Sequence, residues 1–134
     1  MRAKDPSHWL YRLSPEEWLR AADKELLLST AALVRGQQRP GVASARRAAG
    51  MAWNGVLALA ETLEERYGRS YMDHLKALMD DPSVPGGVQG AARALLQAPL
   101  ATELIPLGRG DTRLAEAAGE IVAHARARVH AERV

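Results

Sequence analysis

The sequence predicts an all-α protein, an up-down-up-down four-helix bundle whose third helix is kinked or split. Three observations carry that prediction. Apolar residues recur at three- and four-residue spacing through four stretches, and no segment alternates with the period of two that marks a strand. Capping residues (Ser14, Ser70, Asp111) stand ahead of three of these stretches, and glycines or prolines close the first three of the four. The connections are short, which sets successive helices antiparallel.

The first helix begins at Ser14-Pro15-Glu16-Glu17. Ser14 suits the N-cap, Pro15 the first helical position and Glu17 the far corner of a capping box. Trp18, Leu19, Ala22, Leu26, Thr30 and Leu33 then form one face, and Gly36 stops the helix. Residues 37–41, with Pro40, read as a turn. The second helix is expected over 42–67. Its seam of Ala45, Ala49, Ala52, Val56, Leu59 and Leu63 is spaced for shallow-angle packing. Gly50 and Gly55 each cost a helix about 1 kcal/mol relative to Ala, so their presence implies close helix approach. Gly68 ends this helix.

Ser70 caps the third helix, with Asp73 in a box-like place and Tyr71, Leu75, Leu78 and Met79 on its apolar face. Asp80-Asp81-Pro82 breaks it, and residues 83–87 form a kink or short loop before a further helical piece over 88–98. Residues 100–110 are a loop, but an apolar one that should be packed. Asp111 caps the last helix, with Leu114, Ala118, Ile121, Ala125 and Val129 as its seam and Arg126 and Arg128 placed to favour its C-terminal dipole.

Composition bounds the function. At 134 residues the chain is read as a lead-in over 1–13 and one domain over 14–134. The apolar residues of the lead-in, Trp9, Leu10, Tyr11 and Leu13, should lie partly against the body, with Trp9 the aromatic to watch for exposure. With no cysteine, disulfides and thiolate chemistry are excluded. Asp5-Pro6-Ser7-His8 interrupts any secretory signal, and the apolar stretch 48–60 carries Asn54 and is too short to span a bilayer. The expectation is a cytoplasmic protein with no membrane partner. Of the 18 basic residues all but Lys4, Lys24 and Lys76 are Arg, yet the net charge is only +2, so the arginine excess reads first as a base-composition effect accompanying the abundant Ala.

The candidate site residues cluster by topology. In such a bundle the turn after helix two, the start of helix one and the end of helix four share one end. Arg69 and His74, a candidate catalytic pair, should there approach His124, Arg128 or His130, of which His124 and Arg128 are candidate ligand-binding residues. The bland alternative leaves Arg69 in solvent and His74 capping or packing its helix. Arg35, Arg39, Arg46 and Arg47 gather at the other end, with Arg109 and Arg113, as a solvated basic turn lacking the stacking aromatics of a nucleic-acid surface. The four histidines lack ligand spacing, so no metal or cofactor is expected, and Gly108-Arg109-Gly110 lacks the lysine of a phosphate loop. Trp18 and Trp53 fall on apolar stripes and read as core or interface.

The Ala-rich second helix, the segment Gly68-Arg-Ser-Tyr-Met-Asp-His-Leu-Lys-Ala-Leu78 and the last helix, Leu114-Ala-Glu-Ala-Ala-Gly-Glu-Ile-Val-Ala-His124, resemble the HEPN superfamily of four-helix bundles over about residues 16–129. The resemblance implies one of two functions. Many HEPN proteins, toxin–antitoxin members among them, are metal-independent ribonucleases that carry Arg, four to six residues, then His; Arg69 and His74 meet that spacing, though Ser70 stands where the active members often have Asn. His74 would move a proton at the ribose or leaving oxygen and Arg69 would stabilise phosphoryl charge. Other HEPN proteins are not enzymes and bind a nucleotide or partner a nucleotidyltransferase. The expected function is this second one, a binding module without catalysis of its own and a homodimer, with the ribonuclease and a purely structural interaction protein as alternatives. The homodimer rests on the family and on the small-residue face of the second helix.

Overall fold

The computed structural model describes residues 9–59, 64–98 and 110–132. The protein is all-α: a 3-10 turn, Trp9–Arg12, then α1 (Pro15–Val34), α2 (Gln38–Leu59), α3 (Glu64–Tyr67), α4 (Tyr71–Asp80), α5 (Gly86–Gln97) and α6 (Arg113–Glu132), with no strand among the described residues.

The capping box forms as its residues imply. Ser14 Oγ accepts from the Glu17 N–H at 3.1 Å, and Glu17 Oε1 accepts from the Ser14 N–H at 2.9 Å. At the other end Gly36 takes φ +77°, and the N–H groups of Gly36 and Gln37 reach back to the carbonyls of Leu33 and Ala32, closing the last turn of α1. The following turn is shorter than expected. Because Pro40 lies in the first turn of α2, where no backbone donor is needed, the helix starts at Gln38. At the far end, Leu59 and Glu64–Tyr67 are both helical, as expected of the second helix, and the intervening 60–63 lie outside the described residues. Leu63, expected on the seam, lies there.

Helix α2 is the centre of the molecule, packed by α1, α4 and α6. Its Ala45, Ala48, Ala49 and Ala52 are fully buried, and Trp53, Val56 and Leu57 continue the core. The two helical glycines are contact points. A Cβ on Gly50 would overlap the Tyr71 ring, and one on Gly55 would stand 3.1 Å from the Pro15 carbonyl oxygen. The small-residue face is therefore used inside the chain. The lead-in is tied down by Leu10, which is buried and whose carbonyl accepts from Trp18 Nε1 at 2.9 Å.

The expected third helix is split in two by a built corner. Asp81 Oδ1 accepts from the Ser83 N–H at 2.9 Å and the Ser83 hydroxyl at 2.7 Å, its Oδ2 accepts from the Tyr67 hydroxyl, and its carbonyl accepts from Gln89 Nε2 at 2.7 Å. On α6, Ala118, Ile121, Ala125 and Val129 are buried as the spacing predicts, while Leu114 is only partly so. Asp111 sits one position outside the cap and accepts from the Arg113 N–H at 3.1 Å. Arg126 is not at the dipole end, because α6 runs on to Glu132; it pairs with Asp23 of α1 at 2.5 Å. The apolar loop expected over 100–110 lies, apart from Gly110, outside the described residues, as does the Trp9 side chain. Among the described residues no helix is long and apolar enough to cross a membrane.

Candidate functional site

The start of α1 and the turn after α3 do share one end of the molecule, and a cleft of about 360 Å³ opens between them. Arg12, Trp18, Asn54, Arg69, Ser70 and Tyr71 line it. Arg12 and Arg69 are exposed at its rim, Tyr71 is half-buried, and Asn54 is 1% exposed. Each is placed by a local feature. Gly68, at φ +69°, turns the chain so that Arg69 leaves the body. Ser70 is held at the N-cap of α4, its Oγ accepting from the Asp73 N–H at 3.0 Å. The missing Cβ of Gly50 lets the Tyr71 ring lie against α2, one helical turn from Asn54.

Arg69 and His74 part company here. His74 is fully buried, behind Asn54. Its Nδ1–H donates to the Tyr67 carbonyl at 2.8 Å, which satisfies the last acceptor of α3. Its Nε2 stands 2.7 Å from Asn54 Oδ1. Burial pushes the imidazole below its ordinary value of 6.5, against smaller opposing pulls from the Tyr67 carbonyl and Asp73. A neutral ring with Nδ1 protonated has only a lone pair at Nε2. It is then satisfied when the Asn54 amide turns to present its NH2 group, the two orientations of the amide filling nearly the same space. His74 thus reaches the cleft through Asn54 and not by its own ring.

His124 and Arg128 occupy a different surrounding. His124 stacks on Trp53, with ring centroids 6.0 Å apart at 12°, and the Arg128 guanidinium carbon lies 5.6 Å from the Trp53 ring centre. Trp53 also meets Tyr67, at 5.2 Å. The expected approach of the two pairs is therefore indirect: Tyr67 holds His74 by its carbonyl and touches Trp53 with its ring, and no residue of α6 lines the cleft. Two polar atoms of the Trp53 group, Trp53 Nε1 and His124 Nε2, are buried without a hydrogen-bond partner among the described residues. Burial and the neighbouring Arg128 both lower the His124 value. His130 is exposed.

The expected basic cluster is spent on structure. Arg46 Nε and Nη2 donate to the carbonyls of Leu95 and Ala98, at 2.9 and 3.1 Å, and so cap the end of α5. Arg47 pairs with Glu25 at 3.3 Å and Arg113 with Asp111 at 2.7 Å. Arg35 and Arg39 are exposed, and Arg109 is outside the described residues. A second cleft of about 350 Å³ carries Arg66 and Lys76 against Asp73 and Asp80, a mixture with no preference for either sign.

Sequence reasoning missed Arg12 and Asn54 as members of the cleft. Arg12 carried no signal. Asn54 did: a lone amide inside an apolar helical run must find a buried partner. His74 likewise lies between Tyr71 and Leu78 at three- and four-residue spacing, on the buried stripe. Compared with known proteins, the chain matches no family model, no curated protein and no solved structure.

Proposed function

We propose that the chain is a HEPN-like four-helix bundle, α1, α2, the α4–α5 unit and α6 taken up-down-up-down, that serves as a binding module without catalysis of its own. Its ligand is a nucleotide, or the nucleotide-handling face of a nucleotidyltransferase. The observation that carries this reading is the cleft: two exposed guanidinium groups, suited to phosphate forks, flank a buried amide, and the nearest imidazole stands behind that amide. Such an arrangement supplies charge and orientation but no base in reach of a ligand. At about 360 Å³ the cleft falls at the small end of ligand sites, enough for a phosphate and part of its ester. The test is a thermal-shift titration with nucleoside mono- and triphosphates. A shift lost in the Arg12→Ala, Arg69→Ala double variant supports the reading; no shift with any nucleotide, together with no nucleotidyltransferase co-purifying from the native host, defeats it.

The ribonuclease reading keeps one observation in its favour: Arg69 borders the cleft and His74 is a single amide behind it. It requires Asn54 to swing away from His74. RNA cleavage lost in Arg69→Ala supports it, and a wild type without cleavage removes it. His74→Ala is the poorer probe, because that ring also holds two buried groups. The homodimer belongs to the same family reading, with solution mass as its test. Its interface is not the α2 seam, which α1, α4 and α6 already cover.

A further inference from the structure

The floor of the cleft is a group that can present either of two faces. Asn54 touches His74 Nε2 with one arm of its amide, and its other arm, which has no hydrogen-bond partner among the described residues, is left for the cleft. Which arm is which depends on a proton. The Tyr67 carbonyl only accepts, so Nδ1 keeps its hydrogen in both states of the ring. With a neutral ring, Nε2 accepts from the Asn54 NH2 group and the amide oxygen faces the cleft. With a charged ring, Nε2–H donates to Asn54 Oδ1 and the NH2 group faces the cleft beside Arg12 and Arg69. Between those cations an outward oxygen opposes an anion, and an outward NH2 adds a donor to it.

We infer that the cleft takes a phosphate- or sulfate-like oxyanion in step with protonation of His74, the Asn54 amide turning its NH2 group to the ligand as the imidazole behind it accepts a proton. This rests on the reading of the cleft as a ligand site. The proton comes from solvent and is added to Nε2; the amide rotates about its Cβ–Cγ bond, and no covalent bond of Asn54 changes. By linkage the oxyanion raises the proton affinity of His74 as much as the proton raises that of the cleft for the oxyanion. Among the described residues the charged groups around the ring are few. Asp73 adjoins it on α4 and favours the proton, and Tyr71 meets it edge-on at 6.3 Å. Tyr67 of α3 has its hydroxyl engaged by Asp81, the only ionisable residue of α5, Arg93, is exposed, and α2 offers the uncharged Asn54. The amide sets its NH2 group toward the ligand only while Nε2 carries a proton, which is what makes the two events cooperative.

The experiment uses sulfate, because sulfate does not itself titrate between pH 5 and 7.5. Its binding is measured by calorimetry in buffers of different ionisation enthalpy, and the His74 ring nitrogens are followed by ¹⁵N NMR with and without it. The expected result is sulfate affinity rising by up to about tenfold per pH unit on acidification, proton uptake on binding, and a His74 titration midpoint moved upward by sulfate. Arg-dependent sulfate binding with no proton uptake and an unmoved His74 midpoint overturns the linkage alone. Sulfate that fails to bind, or binds the Arg12→Ala, Arg69→Ala variant equally well, overturns the cleft itself. In His74→Gln, where it folds, Arg-dependent binding should persist with its pH dependence lost; the wild-type NMR arm needs no variant. At pH 7.5, equal binding of inorganic phosphate and a nucleoside monophosphate assigns the cleft to the free oxyanion, and tighter binding of the nucleotide assigns it to an esterified one; either is the same chemistry.

Discussion

Trp53 and Asn54 are adjacent on α2, yet the helix turns them into two unlike regions. Around Asn54 the buried polar atoms are matched: the imidazole of His74 is held at both nitrogens, and the one open arm faces a cleft with two cations at its rim. Around Trp53 the packing is aromatic and the polar atoms are unmatched among the described residues, with Trp53 Nε1 and His124 Nε2 both buried and without partners there. The difference teaches which histidine the fold depends on. His74 joins three elements, α2, α3 and α4, by directed bonds. His124 contributes area and a stacked ring.

The comparison breaks most visibly at those two histidines. Replacing His74 by Ala leaves the Tyr67 carbonyl and the Asn54 amide without their partner and opens a cavity, a loss of about 2–4 kcal/mol. His124→Ala should cost less than about 1.5 kcal/mol, since no hydrogen bond is lost and the ring is partly exposed. Urea midpoints at unchanged slope measure both. Equal losses would mean that the bonds around His74 contribute little beyond volume.

The next largest effect separates two glycines. At Gly50 the methyl group of Ala collides with the Tyr71 ring, so Gly50→Ala should destabilise by about 1–3 kcal/mol and disturb the cleft wall, despite the better helix propensity. Gly90, on exposed α5 surface, has nothing within 4 Å of a new Cβ. Gly90→Ala should stabilise by up to about 1 kcal/mol. Thermal midpoints moving in opposite directions confirm the assignment; a stabilised Gly50→Ala contradicts the close approach.

These two pairs also show what a sequence can carry. Local chemistry was legible: the Ser14–Glu17 box, the Gly36 and Gly68 stops, the Ser70 cap and the break at Asp81 each follow from a residue's own backbone preference. Gly50 and Gly55 were legible as sites of close approach, though not as the places of Tyr71 and Pro15. Pro40 misled, because proline in a first helical turn looks the same in sequence as proline in a loop. Of the cleft and the ring behind it, only Arg69 and His74 stood out as site candidates, by spacing. Their separation across Asn54 depends on which face of α2 meets α4, a long-range fact that no local window contains. Asp81 was read as a helix breaker; its bond to Tyr67 links residues that only the corner brings together.

That corner gives a smaller effect with a defined pH sign. Burial alone would raise the Asp81 carboxyl, but the Tyr67 and Ser83 hydrogen bonds and Arg66, 3.7 Å away, outweigh it and hold it below its ordinary 3.8. A lowered carboxyl contributes stability that is full above the unfolded value and is lost as pH falls through the folded one. Tyr67→Phe should cost about 1–2 kcal/mol at neutral pH and shrink that acid-side loss, seen as converging stabilities of variant and wild type below pH 4. A constant gap across pH would show that the phenol, not the carboxylate, carries the energy.

The smallest expected effect concerns His124. Both His74 and His124 are lowered from 6.5, so the unfolded chain takes up their protons first, and stability falls as pH drops below about 6.5 toward the folded values. His124→Leu keeps an apolar side chain against Trp53 while removing the buried unpartnered Nε2. At neutral pH its stability should lie within about 1 kcal/mol of wild type, since a lost stack is offset by a lost desolvation penalty. Its acid sensitivity between pH 6.5 and 5 should be reduced but not abolished, the remainder belonging to His74. Sulfate should then protect the His124→Leu protein against acid as well as it protects the wild type, because the histidine that answers to the cleft is still in place. Protection that disappears with His124 would reverse the comparison and move the anion-linked proton to the Trp53 side of α2.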